Sequence, residues 1–510
     1  MLLFVLVPLV AAFLCLAFRG LRALEYVTLG GSAVTAVWVG KLAADSAGGA
    51  VYSGLSGVFY SDSLSAYILM VISLLSVAAS IYSVEHMRNE FREGAMTARG
   101  LRYYYFLLNL FVFTMMVVPV ANNLAVLWMA VESTTLVSAL LVGIYRKKQS
   151  IEAAWKYIVL CTVGITFALL GTFILYYAST LPAGGVSQAG ILNWTGLMRR
   201  ARMLNPATVR LAFIFIIAGY GTKAGLAPVH NWLPDAHSEA PAPVSALLSG
   251  ILLNCAFYGV MRFAAVARAA CGPAFVENIM ISFGVASIII ASVFMLIQAS
   301  AKRLLAYSSI EHMGIISLSF GIGGFWGLYA ALLHILNHAL GKPLMFFITG
   351  RIHSSCHSVR MKEVSGFLKI SPLTGVLGFA GIAALSGVPP FNIFLSEFLM
   401  LKGLAAGAHW WIMAVFLAAS GFVFFSLLKH FGGMFLGEPR GGIGPCGVQP
   451  APDSQPAPDS QPASDPQPAR EWWPASLMMV CLGAGLLVLG LDIPWGLDRL
   501  ITLSMGVLGR

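Results

Sequence analysis

The chain has 510 residues, 58% of them hydrophobic and 10% charged, with a mean hydropathy of +0.82. Soluble domains carry about 25% charged residues, so this composition excludes an ordinary cytosolic enzyme, a disordered protein and a secreted disulfide scaffold. The net charge of +10, from 31 Lys and Arg against 21 Asp and Glu, reads as basic loops beside a membrane, not as a nucleic-acid surface. The 7 cysteines contain no Cys-x-x-Cys pair; no metal framework or cofactor is expected, and most are read as small apolar packers.

A spanning helix needs about 20 mostly apolar residues. About 14 such segments follow one another. In chain order they are 2–18, 26–42, 64–83, 104–120, 123–144, 155–178, 209–229, 244–269, 277–297, 303–321, 325–349, 372–406, 410–436 and 473–491. The expected fold is therefore an all-α polytopic membrane protein. The first segment does not read as a cleaved signal peptide, because Arg19 and Arg22 follow it and no basic residue precedes it. Those arginines place the first loop in the cytoplasm and the N-terminus on the periplasmic side of the cell inner membrane. Arg88, Arg92, Arg99, Arg102, Arg146, Lys147, Lys148, Arg351, Arg360, Lys362 and Lys369 agree with that orientation, whereas Arg199, Arg200 and Arg202 oppose it. Residues 437–470, with the tandem repeat Gln449–Ser454 and Gln455–Ser460, read as a Pro-rich disordered linker ahead of the last segment.

The informative residues are ionisable groups inside apolar segments, each costing about 3 kcal/mol or more at the bilayer centre unless paired or wetted. Glu132 stands in the fifth segment, Lys223 near the end of the seventh and Glu397 in the twelfth. His334, His338 and Lys342 recur every fourth residue in the eleventh, on one helix face and over about 12 Å. Such a row passes protons if water fills its gaps. Plainer roles exist for each group: a structural ion pair for Glu132 and Lys223, snorkelling for Lys342, packing for His334. Lys302 and Arg303 read first as the cytoplasmic entry of a segment, with a proton-path role for Lys302 as the alternative. Glu311 and His312 tether a kinked helix as readily as they carry protons. The His353-x-x-Cys356-His357 cluster has no second ligand pair at a recognisable spacing, so no metal is expected there.

Prolines interrupt two segments in similar company: Gly225-Leu-Ala-Pro228 with Asn231-Trp-Leu-Pro234, and Gly387-Val-Pro389-Pro390 with Asn392-Ile-Phe-Leu395. Proline frees a backbone carbonyl, which lipid does not tolerate unless the gap faces protein or water. Paired breaks about five segments apart point to two five-helix repeats, the second inverted because five is odd. The expected organisation is N-terminal helices over 1–103, repeats over 104–270 and 271–436, the linker over 437–470 and a last helix with a short tail over 471–510.

At this point the motifs resemble a family. The run His230-Asn-Trp-Leu-Pro-Asp-Ala-His-Ser-Glu-Ala-Pro-Ala-Pro-Val-Ser-Ala-Leu-Leu-Ser-Gly250 is similar to the signature of antiporter-like subunits of respiratory complex I, multisubunit cation/proton antiporters and energy-converting hydrogenases. Lys302-Arg-Leu-Leu-Ala-Tyr-Ser-Ser309 and His338-Ala-Leu-Gly-Lys-Pro-Leu-Met-Phe346 are similar to further family segments, and the resemblance covers roughly residues 60–435. It implies 14 helices in two inverted repeats and proton movement coupled to redox chemistry elsewhere. By position, Glu132 and Lys223 match the family's ion pair, Lys342 its central lysine and Glu397 its terminal acid facing the periplasm. One departure stands out: Asn254 occupies the place of a bridging lysine, and an amide orders water but carries no proton as a charge. Within the family the chain most resembles component F of hydrogenase-4 and formate hydrogenlyase-type complexes.

The resemblance therefore implies a proton-translocating subunit without a redox centre of its own. Its partners would be other membrane subunits of a hydrogenase or complex I-like assembly and, through them, a nickel–iron and iron–sulfur peripheral arm. Glu132 would modulate Lys223, Lys342 would exchange protons with Lys223 through His334 or His338 and water, and Glu397 would release them. The rivals are a subunit of a sodium/proton antiporter with no redox partner, and a structural anchor with vestigial charges.

Overall fold

The computed structural model describes residues 2–180, 192–439 and 471–509. Its principal helices are α1 Leu6–Ala17, α2 Leu21–Ala47, α3 Ser63–Arg92, α4 Ala98–Val120, α5 Leu124–Val142, α6 Lys148–Thr180, α7 Trp194–Arg200, α8 Pro206–Lys223, α9 Trp232–Glu239 and α10 Ala242–Cys271. There follow α11 Pro273–Met295, α12 Ala301–Ile322, α13 Gly324–Cys356, α14 Pro372–Leu385, α15 Asn392–Ala406, α16 Trp410–Phe435, α17 Trp473–Leu491 and α18 Trp495–Val507. A small antiparallel hairpin, β1 Tyr52–Gly54 with β2 Phe59–Ser61, precedes α3. The chain is an all-α polytopic membrane protein: among the described residues, 10 helices are individually long and apolar enough to cross a bilayer. The proposed linker lies almost entirely outside the described residues.

Short connections force successive helices antiparallel, which gives the bundle two faces. The hairpin, the α4–α5 turn and α7 meet on one face through the pairings Phe59–Ala121 and Asn123–Asn193. On the opposite, basic face, Ser300 pairs with Arg360 and the Lys302 ammonium donates to the carbonyl of Ala240 at 2.9 Å. Large apolar side chains such as Leu140, Val163, Phe173, Val293 and Trp411 are exposed around the girth, as contact with acyl chains requires. By contrast α10 and α13 are buried along their whole spanning windows. Polar groups on those two helices therefore sit at the centre of the protein, away from lipid.

The seventh and twelfth segments are each two helices around a break. In the first, α8 stops at Lys223, Gly225 turns with φ +74° and the Ala227–Pro228 bond is cis; in the second, α14 stops at Leu385, Gly387 turns with φ +66° and Pro389–Pro390 is cis. The capping bonds also match: Leu226 N donates to Gly221 O in one, and Val388 N to Ala383 O in the other. Pro234 departs from expectation. It sits in the first turn of α9, where a missing N–H interrupts no helical bond, so it starts a helix and breaks none.

Two cations that read as loop charges, Arg351 and Arg88, form structural pairs, and Arg351 is buried. Arg351 makes two 2.8 Å bonds to Glu85 and a further contact with Glu471, anchoring the start of α17. Arg88 grips Glu25 at 2.7 and 2.6 Å. Arg262 does the same to Asp62 near the hairpin face, at 2.8 and 2.6 Å. Their cost is met by bidentate geometry, and they fix helix against helix.

Candidate functional site: a buried row of titratable groups

Lys223 is wholly buried at the C-terminal end of α8, where the helix dipole favours a cation. Its ammonium donates to Thr135 Oγ1 at 2.9 Å and to the Tyr157 hydroxyl, and lies 4.6 Å from the centroid of the Tyr157 ring. Trp232, stacked on Tyr157 at 4.5 Å, forms the second wall and closes the break by donating its indole N–H to the carbonyl of Thr222 at 2.8 Å. Glu132, half-buried on α5, accepts from Thr162 Oγ1 at 3.0 Å and from Thr135 Oγ1 at 3.4 Å.

The expected ion pair is therefore indirect. Thr135 stands between the two charges, and no ion pair joins Glu132 to Lys223 among the described residues. The reason is register: Glu132 and Thr135 share a face of α5 one turn apart, and α8 approaches at the Thr135 level. Replacing Thr135 by valine, of equal shape, leaves the ammonium without that acceptor. A polar atom so orphaned costs about 1–3 kcal/mol, and proton-transport rate is expected to fall roughly tenfold. Transport assays on membranes with matched protein content check this.

The second cluster lies on α13. The Lys342 ammonium is also wholly buried and donates to Ser308 Oγ at 2.6 Å and the Leu305 carbonyl at 3.3 Å. That excludes snorkelling. One and two turns earlier on the same face come His338 and His334. His334 Nε2 is 2.9 Å from His312 Nδ1, and its Nδ1 is 2.9 Å from Ser396 Oγ on α15. His312 also lies 5.4 Å, ring to ring, from His338. Both ring nitrogens of His338 are buried without a protein hydrogen-bond partner, as are His312 Nε2 and one oxygen of Glu311. His312 is thus the junction of the cluster, and Glu311 Oε2 sits 3.7 Å from it.

Towards the second break, Asn337 donates to the Asn392 carbonyl at 2.7 Å and to Ser396 Oγ at 3.0 Å. Glu397 follows on α15, half-buried, with its carboxylate lying directly over the backbone of Gly387. Glu132 and Glu397 are therefore peripheral, and the two lysines are central.

Between the clusters, α10 carries a π-helical turn at Leu248–Leu252, a feature frequent at functional sites. Ser249 on that turn bonds Ser309 at 2.7 Å, next to the Ser308 that receives Lys342. Asn254, one turn on, donates to Gly250 O at 2.9 Å, and its Oδ1 has no protein partner. His230, in the loop after Pro228, faces the Tyr307 ring at 6.4 Å. No group of three or more His, Cys, Asp or Glu suited to a metal exists among the described residues.

Sequence reasoning did not single out Thr135, Tyr157, Thr162, Ser308 and Ser396, the neutral partners, nor His237. Hydroxyls are too common in membrane helices to be singled out without a known neighbour. His237 lies wholly buried on α9, stacked 5.2 Å from Phe346, with both nitrogens unpartnered. Its signal was its place just after a helix break.

A polytopic bundle with two broken helices and charged groups at its centre defines an ion-translocating class of membrane protein. The transmembrane family described as NADH:quinone oxidoreductase/Mrp antiporter matches residues 121–423, and the chain belongs to that family. A hydrogenase-4 component F homologue of Methylacidiphilum infernorum is 38% identical over 394 residues, covering 76% of this chain and 81% of that protein. Hydrogenase-4 component B of Escherichia coli is 31% identical over 406 residues, covering 74% and 57% respectively. Among solved structures, the Mrp complex from Dietzia sp. DQ12-45-1b contains a chain that superposes with a TM-score of 0.83 at 23% identity, covering 100% of this chain and 97% of that one, a likeness of fold.

Proposed function

We propose that the chain is the proton-translocating membrane subunit of a hydrogenase-4 or formate hydrogenlyase-like complex, with Lys223 and Lys342 as its two central proton carriers. The observation that carries this reading is the pair of wholly buried ammonium groups, each held by neutral oxygens with a glutamate nearby and no carboxylate in contact among the described residues. A permanently charged structural lysine in so dry a setting would need a carboxylate in contact. One held only by neutral hydroxyl and carbonyl oxygens retains the option of losing its proton.

In this mechanism Glu132 biases Lys223 through Thr135. The proton crosses towards Lys342 past Asn254, Ser249 and Ser309, then moves by way of His338, His312, His334 and Ser396 to Glu397. Buried polar atoms without protein partners, at Asn254, His338 and His312, mark where ordered water belongs. The two breaks are related by 162 residues (387 − 225) and share glycine conformation and capping bonds, which supports two inverted five-helix units. With them go fourteen traversals, a periplasmic N-terminus and a location in the inner membrane. The electron chemistry belongs to partner subunits, including a nickel–iron and iron–sulfur arm.

The test is proton pumping by membrane vesicles carrying the assembled complex. Lys223→Ala and Glu132→Gln are expected to depress pumping by roughly tenfold or more with assembly intact. Wild-type pumping in the assembled Lys223→Ala variant would remove the assignment.

A further inference from the structure

A third acid–lysine couple lies at the basic face, outside the row described so far. Glu90 is near the end of α3 and only 6% exposed. His86, one turn earlier, approaches it at 3.7 Å and lies 3.3 Å from the Tyr145 hydroxyl; His86 Nδ1 has no protein partner. Glu93, Lys302 and Lys147 are the charged groups near enough to act on Glu90 electrostatically. Lys302, in turn, has Glu90 as its foremost charged neighbour, followed by Glu239 and Lys147.

Lys302 is placed between water and the interior. Its ammonium rests on the carbonyls of Ala240 at 2.9 Å and Ser238 at 3.4 Å. Beside those residues a polar vestibule of about 190 Å³, lined by Glu152, Lys156, Asp235, Ser238, Glu239 and Arg303, opens on the basic face. That volume holds several waters. On the inner side is His237, unpartnered at both nitrogens and an electrostatic neighbour of both Lys302 and Lys342. His338 in turn has His237 and Lys342 as neighbours.

Resting on the proposed function, we propose that Glu90 and Lys302 form the proton-loading couple of the row, filled from the vestibule beside α9 and emptied into His237. A hydronium in the vestibule gives its proton to the neutral Lys302 amine and leaves as water. The resulting ammonium, favoured by the negative charge of Glu90, passes the proton to the His237 imidazole and returns to the amine. Glu90 stands on α3, so the inlet is completed by a helix outside both five-helix units.

The test uses vesicles carrying the assembled complex. Lys302→Arg keeps the charge and the donors to both carbonyls but does not release a proton. Pumping is expected to fall about tenfold or more in Lys302→Arg, to persist in the titratable Lys302→His, and to fall in the isosteric Glu90→Gln. Wild-type pumping in Lys302→Arg would assign Lys302 a purely structural hold on the two carbonyls, and wild-type pumping in Glu90→Gln would exclude Glu90; either overturns the couple. If Lys302→Arg does not accumulate, Glu90→Gln decides. Loss of pumping in Lys223→Ala with wild-type rates here sinks only the inlet, whereas wild-type pumping in Lys223→Ala sinks the function beneath it.

Discussion

Lys342→Met is expected to reduce proton pumping by about a hundredfold or more while the protein still inserts and assembles. Methionine matches lysine in length and is apolar, so the packing around position 342 survives. What disappears is the amine beside the histidines of α12 and α13, next to the Ser309–Ser249 bond that links α12 to α10. Lys342→Arg sharpens the result. It retains a cation for Ser308 and the Leu305 carbonyl yet holds its proton, so it is expected to pump no better than Lys342→Met. Pumping in vesicles, with complex content measured by gel, gives the answer; robust pumping in the arginine variant would reduce Lys342 to a fixed charge.

Gly387→Ala is the second change with a large expected effect. Gly387 holds φ +66° in the second break, a conformation that costs an L-residue about 1–2 kcal/mol. A methyl group there also collides with the Glu397 carboxylate. The acid must leave its present position, so transport is expected to fall roughly tenfold, together with a modest loss of thermal stability. Gly225→Ala in the first break is the internal control. It carries similar backbone strain, at φ +74°, but its methyl meets the flexible end of Leu233 and no titratable group. Equal transport losses in the two variants would show that backbone strain alone accounts for the effect and that Glu397 is not the sensitive element.

Much of the site was legible before folding because lipid is an unforgiving solvent. An acid or base in an apolar run stands out against its neighbours, and Glu132, Lys223, Lys342 and Glu397 were visible on that ground. The i, i+4 spacing of His334, His338 and Lys342 placed them on one face, and the structure keeps them there in the buried span of α13. The prolines were legible as punctuation but not in their roles: Pro228 and Pro390 lie in breaks, whereas Pro234 opens a helix. The distinction depends on which turn of a helix the ring occupies, and boundaries are what a hydropathy pattern fixes least well.

Other features needed the third dimension. Thr135 between Glu132 and Lys223, Ser308 under Lys342 and Ser396 beside His334 are ordinary hydroxyls until another helix brings a charge against them. His312 had equal claims as tether and carrier; its 2.9 Å approach to His334 makes it the centre of the cluster. Arg351 and Arg88 counted as loop cations, and only the packing of α3 against α13 and α2 turns them into helix-to-helix ion pairs, the first of them buried.

Composition and hydropathy by themselves determined that this protein lives in a bilayer, as a series of helices carrying charges that lipid would reject. That follows from solvation, which each segment feels on its own. The tertiary structure decided which charges are central, which stand at the rim and which neutral groups separate them. Those outcomes depend on helix rotation and register, set jointly by partners far apart in the chain.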